Sequence, residues 1–389
     1  MGPCIIGWAH SRFGRSDLET AEALIASVVD DCLAHAGIGA QDVDAIFLGA
    51  FNNGLSKQDF QASLVALAVP ELRHVRATRI ENACATGSAA IHAGIREIES
   101  GRARRVLVVG VEKMTATPTH VVGDILLGAS YRQEEAEVEG GFAGVFATIA
   151  QSYFQLHGDK RESLARIAAK NHANGALNPY AHLQKDFGFD FCNTVSAKNP
   201  IVAGPLRRMD CSLISDGAAA MVLCDTETAL NSAPRAVRFR AASHVNDFLP
   251  LSRRSKTVFE GARLAWDQAY RSAGVTVDDL SFVETHDCFT IAELIEYEAM
   301  GLAREGEGAR VIDDGVSTRE GRLPVNPSGG LKSKGHPIGA TGVSQHVMAA
   351  MQLCSDAGAM QLSDPQLAGV FNMGGAAVAN YVSILERLK

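Results

Sequence analysis

Apolar positions along the chain follow two alternating periods. A short apolar run at Ile5-Ile6-Gly7 predicts a strand, and across 20–36 Leu24, Val28 and Leu33 recur at near-helical spacing before Gly37, which closes the run as a helix C-cap would. Ala45-Ile46-Phe47-Leu48-Gly49 predicts a second strand, and Ile91 and Ile95 mark a second apolar helix. The unbroken run Arg105-Val106-Leu107-Val108-Val109-Gly110 predicts a strand buried on both faces. Strand, helix, strand, helix, strand is the pattern of an α/β fold.

From about 120 to 208 the texture changes to mixed helical segments, broken at Gly140-Gly141, Asn178-Pro179, Asn199-Pro200 and Gly204-Pro205, which predicts an inserted subdomain. The α/β pattern resumes in 215–224, where small residues run into a buried strand, and 229–236 is the expected linker. Two internal echoes follow. Residues 36–46 and 273–283 share one pattern of helix end, acidic turn and strand. Asp216-Gly217-Ala218-Ala219 pairs with Gly374-Gly375-Ala376-Ala377, each ahead of an apolar strand. A duplicated α/β topology explains both, with an N-terminal half at 1–232 that carries the insertion and a C-terminal half at 233–389.

Composition narrows the function classes. In 389 residues, 47% hydrophobic and 21% charged content describes a soluble globular chain with no expected transmembrane helix. A formal net charge of -8 argues against nucleic acid as a partner, while leaving room for a local basic patch around an anionic cofactor. The 8 cysteines show neither C-x-x-C pairs nor scaffold density, so reduced thiols in the cytoplasm are expected. Neither a signal peptide nor a peroxisomal tripeptide is read at the ends, and no membrane association is expected.

Several chemistries fall away on spacing. Gly330-Leu331-Lys332-Ser333-Lys334-Gly335 has phosphate-loop glycines, but His336 stands where the Walker lysine belongs. The chain has no G-x-S-x-G, G-x-G-x-x-G or H-E-x-x-H. Sulfur and imidazole remain. Cys84 precedes a run of small residues that suits a tightly packed helix, whose N-terminus would stabilise a thiolate; a small buried hydrophobe is the competing reading. His336 sits among Gly335, Pro337 and Gly339, residues that fix and admit backbone at a helix entrance, as a base would need. His286-Asp287-Cys288-Phe289 lies where a strand enters a helix, the usual place for a site in an open α/β sheet. Adjacent side chains rarely converge on one ion, so acid–base work by Cys288 is preferred to a metal at His286, Asp287 and Cys288, and no metal is expected.

Over nearly its whole length the sequence resembles the thiolases, and within them the sterol-carrier-protein type. Ala83-Cys84-Ala85-Thr86-Gly87 resembles the nucleophile motif, and Gly335-His336-Pro337 the Gly-His-Pro motif. His286-Asp287-Cys288-Phe289 stands where most thiolases have Asn-Glu-Ala-Phe. The resemblance implies two duplicated halves in a layered αβαβα core with a loop subdomain inserted in the first. One departure matters: most thiolases carry a late Cys-x-Gly whose cysteine shuttles a proton, whereas this chain has Asn372-Met373-Gly374.

By that resemblance His336 deprotonates Cys84, which attacks the 3-keto carbon of a 3-oxoacyl-CoA to give an acyl-cysteine. His286 and His336 hold the departing enolate oxygen, and Cys288 takes over the missing thiol's proton transfer. The N–H groups of Cys84 and Gly374 form a second oxyanion hole, and Ser212 contacts pantetheine. Coenzyme A is then a co-substrate, no tightly bound cofactor is needed, and a homodimer or homotetramer is expected. Arg207 and Arg208 are candidate phosphate partners or plain surface charges. The rival readings are a diverged acyltransferase or retro-aldol lyase on CoA thioesters, and a non-catalytic subunit that binds acyl-CoA or a small acyl-carrier-like partner.

Overall fold

A computed structural model describes residues 2–389. Strand β1 (Cys4–His10) leads to helix α1 (Ala21–Ala36), capped by the Thr20 hydroxyl at one end and by Gly37 at φ 71° at the other. Strands β2 (Ala45–Gly49) and β3 (Arg76–Ile80), helix α2 (Thr86–Glu99) and strand β4 (Arg105–Glu112) follow. The insertion contains α3 (Phe142–His157) and α4 (Arg161–Gly175) before β5 (Gly217–Cys224) completes the half. The second half runs β6 (Val237–Asn246), α5 (Glu260–Ala273), β7 (Phe282–Glu284), α6 (Thr290–Ala299), α7 (Ile338–Leu353), β8 (Leu367–Gly374) and β9 (Ala379–Arg387).

The strands form a 9-stranded mixed sheet in the order β3-β2-β4-β5-β1-β6-β9-β8-β7, joined at its centre where β1 meets β6 antiparallel. Read outward from that junction, the two halves mirror each other. Val325 bridges Val283 of β7 in parallel and supplies the counterpart of β3. The first echo is structural: Gly37 and Gly274 both cap helices in the left-handed region, and one 3-10 turn follows each, Ala40–Asp42 and Val277–Asp279. In the second echo the equivalent strands are β5 and β9, but the register differs, since Gly217 begins β5 whereas Gly374 ends β8.

Burial on both faces explains the unbroken apolar run in β4. Leu107, Val109 and Val111 pack with α1, while Val106 and Val108 join Ile91 and Ile95 of α2 and Val343 and Val347 of α7. Trp266 and Ala262 of α5 cover the other half with Val382 and Ile384. The layers therefore run α1, sheet, α2 with α7, sheet, α5. No helix among the described residues is long and apolar enough to cross a membrane.

The stretch 229–236 lies between β5 and β6 and is packed: its first residues finish the helix Thr226–Ser232, and Ala229, Ala233 and Ala236 are buried in the core they share with α1. The insertion packs on the other half, where α4 lies against α6 and the short helix Gly330–Lys334.

The crossing of α2 and α7 sets the distance between their N-termini. A Cβ on Gly87 would fall 2.7 Å from the Val343 nitrogen and 2.8 Å from the Gly342 nitrogen, both backbone atoms that cannot swing aside. Gly87→Ala gains about 1 kcal/mol of helix propensity. Overpacking at a fixed backbone contact nevertheless costs about 1–3 kcal/mol. The net expectation is a lower urea midpoint with an unchanged m-value, read by circular dichroism; a raised midpoint would show that the helices separate freely.

Candidate active site

Cys84 sits on a turn just ahead of α2, in the place that the mirrored half gives to His336 ahead of α7. The duplication thus brings the two N-termini together. The turn is tied by Thr86, whose hydroxyl accepts from the Asn82 N–H at 2.8 Å and donates to the Ala83 carbonyl at 2.6 Å. Ala83 is held at φ 49°, a conformation that non-glycine residues adopt only where their surroundings impose it.

Thr341 orients the His336 ring. Its hydroxyl lies 2.9 Å from the Pro337 carbonyl and 2.6 Å from His336 Nδ1. A carbonyl only accepts, so the single hydroxyl proton goes to Pro337 and the oxygen accepts from Nδ1–H. That leaves the lone pair on Nε2, the tautomer a base requires. The His286 ring stands edge-on to it, with centroids 5.1 Å apart.

The segment 285–289 divides its labour. The backbone N–H of His286 donates to Glu296 Oε2 at 3.1 Å, so α6 folds back to hold the loop. Asp287 accepts from the Leu331 N–H at 2.6 Å, the Lys332 N–H at 3.1 Å and Asn171 Nδ2 at 2.7 Å. It is a buried structural cap. Phe289 stacks on Phe146 of α3 at 4.4 Å and anchors the insertion beside the site.

Burial dominates the electrostatics. It pushes the Cys84 thiol up to about 12, against the lowering effect of the Gly375 N–H, and the neighbouring Glu112 and Glu81 add to the rise. Burial, reinforced by Lys334, takes His336 down to about 3. His286 is lowered well below its ordinary value by burial and by His336, and Cys288 is raised well above by burial and by Cys84. Burial thus favours the neutral thiol and neutral imidazole forms, and at Cys84 it opposes the thiolate that a helix end would stabilise.

Cys84, Cys288, His336 and Ser212 line a cavity of about 550 Å³ walled by Phe51, Met114, Leu127, Phe142 and Ile338. The Ser212 N–H donates to the Cys288 carbonyl at 2.9 Å, which places Ser212 on the wall beside that thiol. A Cβ on Gly374 would lie 2.6 Å from the Asn82 carbonyl, so this glycine packs directly on the Cys84 turn. Arg207 is not a phosphate partner: it is buried and held by Asp210 and by the carbonyls of Asn193 and Arg161, whereas Arg208 is exposed. The sulfur of Cys84 and one ring nitrogen each of His286 and His336 lie within 4.8 Å of one another, a closer convergence of ligand types than the consecutive residues 286–288.

Two family models match this chain: "Thiolase, N-terminal domain" over residues 4–227 and "Thiolase C-terminal domain-like" over residues 243–387. The chain belongs to the thiolase family. It is 34% identical over 389 residues to an acetyl-CoA acetyltransferase of Methanothermobacter thermautotrophicus, covering 98% of this chain and 99% of that protein. Sterol carrier protein 2 of Homo sapiens is 35% identical over 323 residues, which are 77% of this chain and 56% of that one. Among solved structures, an "Ltp2-ChsH2(DUF35) aldolase" superposes with a TM-score of 0.83 at 20% identity, over 99% of this chain and 97% of that one. The fold is the thiolase fold, and the function class is that of a thiolase-type acyltransferase.

Four residues of this thiolase site escaped the sequence: Thr86, Thr341, Asn372 and Gly375. Thr341 was within reach, because a hydroxyl four residues past Pro337 falls one helical turn beyond it and faces back to the preceding loop. Asn372 carried only a negative signal, the lack of cysteine at that position.

Proposed function

We propose that this thiolase cleaves 3-oxoacyl-CoA to acyl-CoA and acetyl-CoA, or runs the reverse Claisen condensation, through an acyl group on Cys84. The observation that carries this reading is the His336 lone pair, fixed on Nε2 by Thr341 and clustered with the Cys84 sulfur. His336 takes the thiol proton as sulfur attacks the 3-keto carbon, so the charge appears only when the substrate can share it. Breaking the carbon–carbon bond expels an enolate whose oxygen is held by Nε2–H of His286 and the newly protonated Nε2 of His336. Cys288 gives its proton to the enolate carbon and acetyl-CoA leaves. A second CoA thiol then attacks the acyl-cysteine, its proton restores Cys288, and His336 returns its proton to Cys84. Backbone N–H groups of Cys84 and Gly374 serve the acyl oxygen, and Ser212 meets the pantetheine arm.

Coenzyme A is co-substrate, and no tightly bound cofactor enters the scheme. The apolar cavity wall favours an acyl group over a charged one. Free thiols at all of Cys4, Cys32, Cys192, Cys211, Cys224 and Cys354 accord with a reducing cytoplasm. Edge strand β3, with Arg76, Ala77 and Thr78 exposed, offers unpaired backbone to a second copy, in line with a homodimer or homotetramer.

The test is incubation of the purified protein with acetoacetyl-CoA and longer 3-oxoacyl-CoA esters, with and without CoA, read by mass spectrometry. CoA-dependent acetyl-CoA release with an acyl adduct on the Cys84 peptide is expected. Cleavage without any adduct would identify a retro-aldol lyase, and inertness toward every ester a binding subunit.

A further inference from the structure

Resting on that reading of the site, we propose that Asn372 is a positioning residue that fixes His286 in its Nε2–H tautomer. Asn372 lies on β8, fully buried, at the position where the sequence departs from Cys-x-Gly. Its amide nitrogen is 3.1 Å from the Cys84 carbonyl oxygen and 2.8 Å from His286 Nδ1. The carbonyl can only accept, so the amide nitrogen must face it. The opposite amide orientation would set two oxygens 3.1 Å apart with no proton between them. The second amide proton then points at His286 Nδ1, which must be the lone-pair nitrogen.

A neutral imidazole has one ring proton, and with Nδ1 accepting, that proton is on Nε2. Nε2 is buried and has no partner among the described residues. A buried donor left unpaired costs about 1–3 kcal/mol, which a ligand oxygen recovers. The tautomer thus turns His286 into a donor waiting for a developing oxyanion, and the same amide ties that donor to the nucleophile's own turn. A cysteine at 372 could not make both contacts.

The experiment uses the full chain with 15N-labelled histidine, and two-bond 1H–15N correlation spectra assign His286 by its loss in His286→Asn. The wild type is expected to carry the His286 proton on Nε2 from about pH 6 to 8. In Asn372→Asp the carboxylate accepts from the ring, moving the proton to Nδ1. Carbon–carbon cleavage should then fall about 10²–10³-fold in kcat with KM little changed. Acylation of Cys84 by acetyl-CoA, which uses the other oxyanion hole, should persist. Asn372→Ala, which removes the amide that selects one tautomer, should show a mixture of the two. A wild-type proton on Nδ1 overturns the proposal even if neither variant folds, as does Nε2–H surviving in Asn372→Asp or an unchanged kcat in both variants. The spectrum decides this point whether or not turnover depends on Cys84, so its failure is distinct from failure of the proposed reaction.

Discussion

Cys84→Ala is expected to lower CoA-dependent cleavage of acetoacetyl-CoA by about 10⁴-fold or more and to abolish the acyl adduct on the protein. The reaction has no route around the thiol, because the remaining groups bind an oxyanion or move a proton but form no bond to carbon. Removing one buried sulfur should cost roughly 1 kcal/mol, so the folded protein remains available for assay. The neutral resting pair adds a pH signature. His336 at about 3 stays unprotonated above that value, and Cys84 at about 12 keeps its proton below it. The productive thiol–imidazole pair is therefore intact from about pH 5 to 9, and kcat/KM for acylation should be flat across that window. An acid limb near the ordinary histidine value would show that burial does not control the base. Unchanged turnover in Cys84→Ala would remove the covalent mechanism.

What the sequence disclosed and what it hid divide by locality. The doubly buried strand at 105–110 was legible because both faces are written in consecutive residues, and the echo of 36–46 in 273–283 because one turn motif was kept twice. Cys84 and His336 were legible as local motifs, and the structure supplies the reason they meet: they occupy mirrored positions ahead of α2 and α7. The packing of 229–236 was not legible, because the α1 residues that share a core with its alanines lie far away in sequence. Arg207 failed for the same reason, since nothing near it in sequence announces the carbonyls of Arg161 and Asn193 that hold its guanidinium. The pull of burial on the Cys84 thiol was not legible, because a helix terminus is visible in sequence and desolvation is not.

Cys288→Ala is expected to separate the two half-reactions. Cleavage of acetoacetyl-CoA should fall about 10²–10⁴-fold, the usual worth of a positioned acid–base group. Exchange of labelled CoA into acetyl-CoA should stay near wild type, because it makes and breaks only thioester bonds and moves no proton to or from carbon. The thiol is suited to donation: burial holds it well above its ordinary value, so it carries its proton into the step in which the enolate carbon needs one. The wall should survive the substitution, since the Ser212 N–H bonds the backbone carbonyl of residue 288 and not its sulfur, and the adjacent Phe289 keeps its stack on Phe146. Loss of both reactions would therefore mean that the sulfur shapes the pocket. Loss of cleavage alone has a narrower meaning, because both reactions share Cys84, His336 and the acyl oxyanion hole. The only demand that cleavage adds is a proton for carbon beside a stabilised enolate oxygen, and with His286 and His336 untouched the missing proton is the one on Cys288.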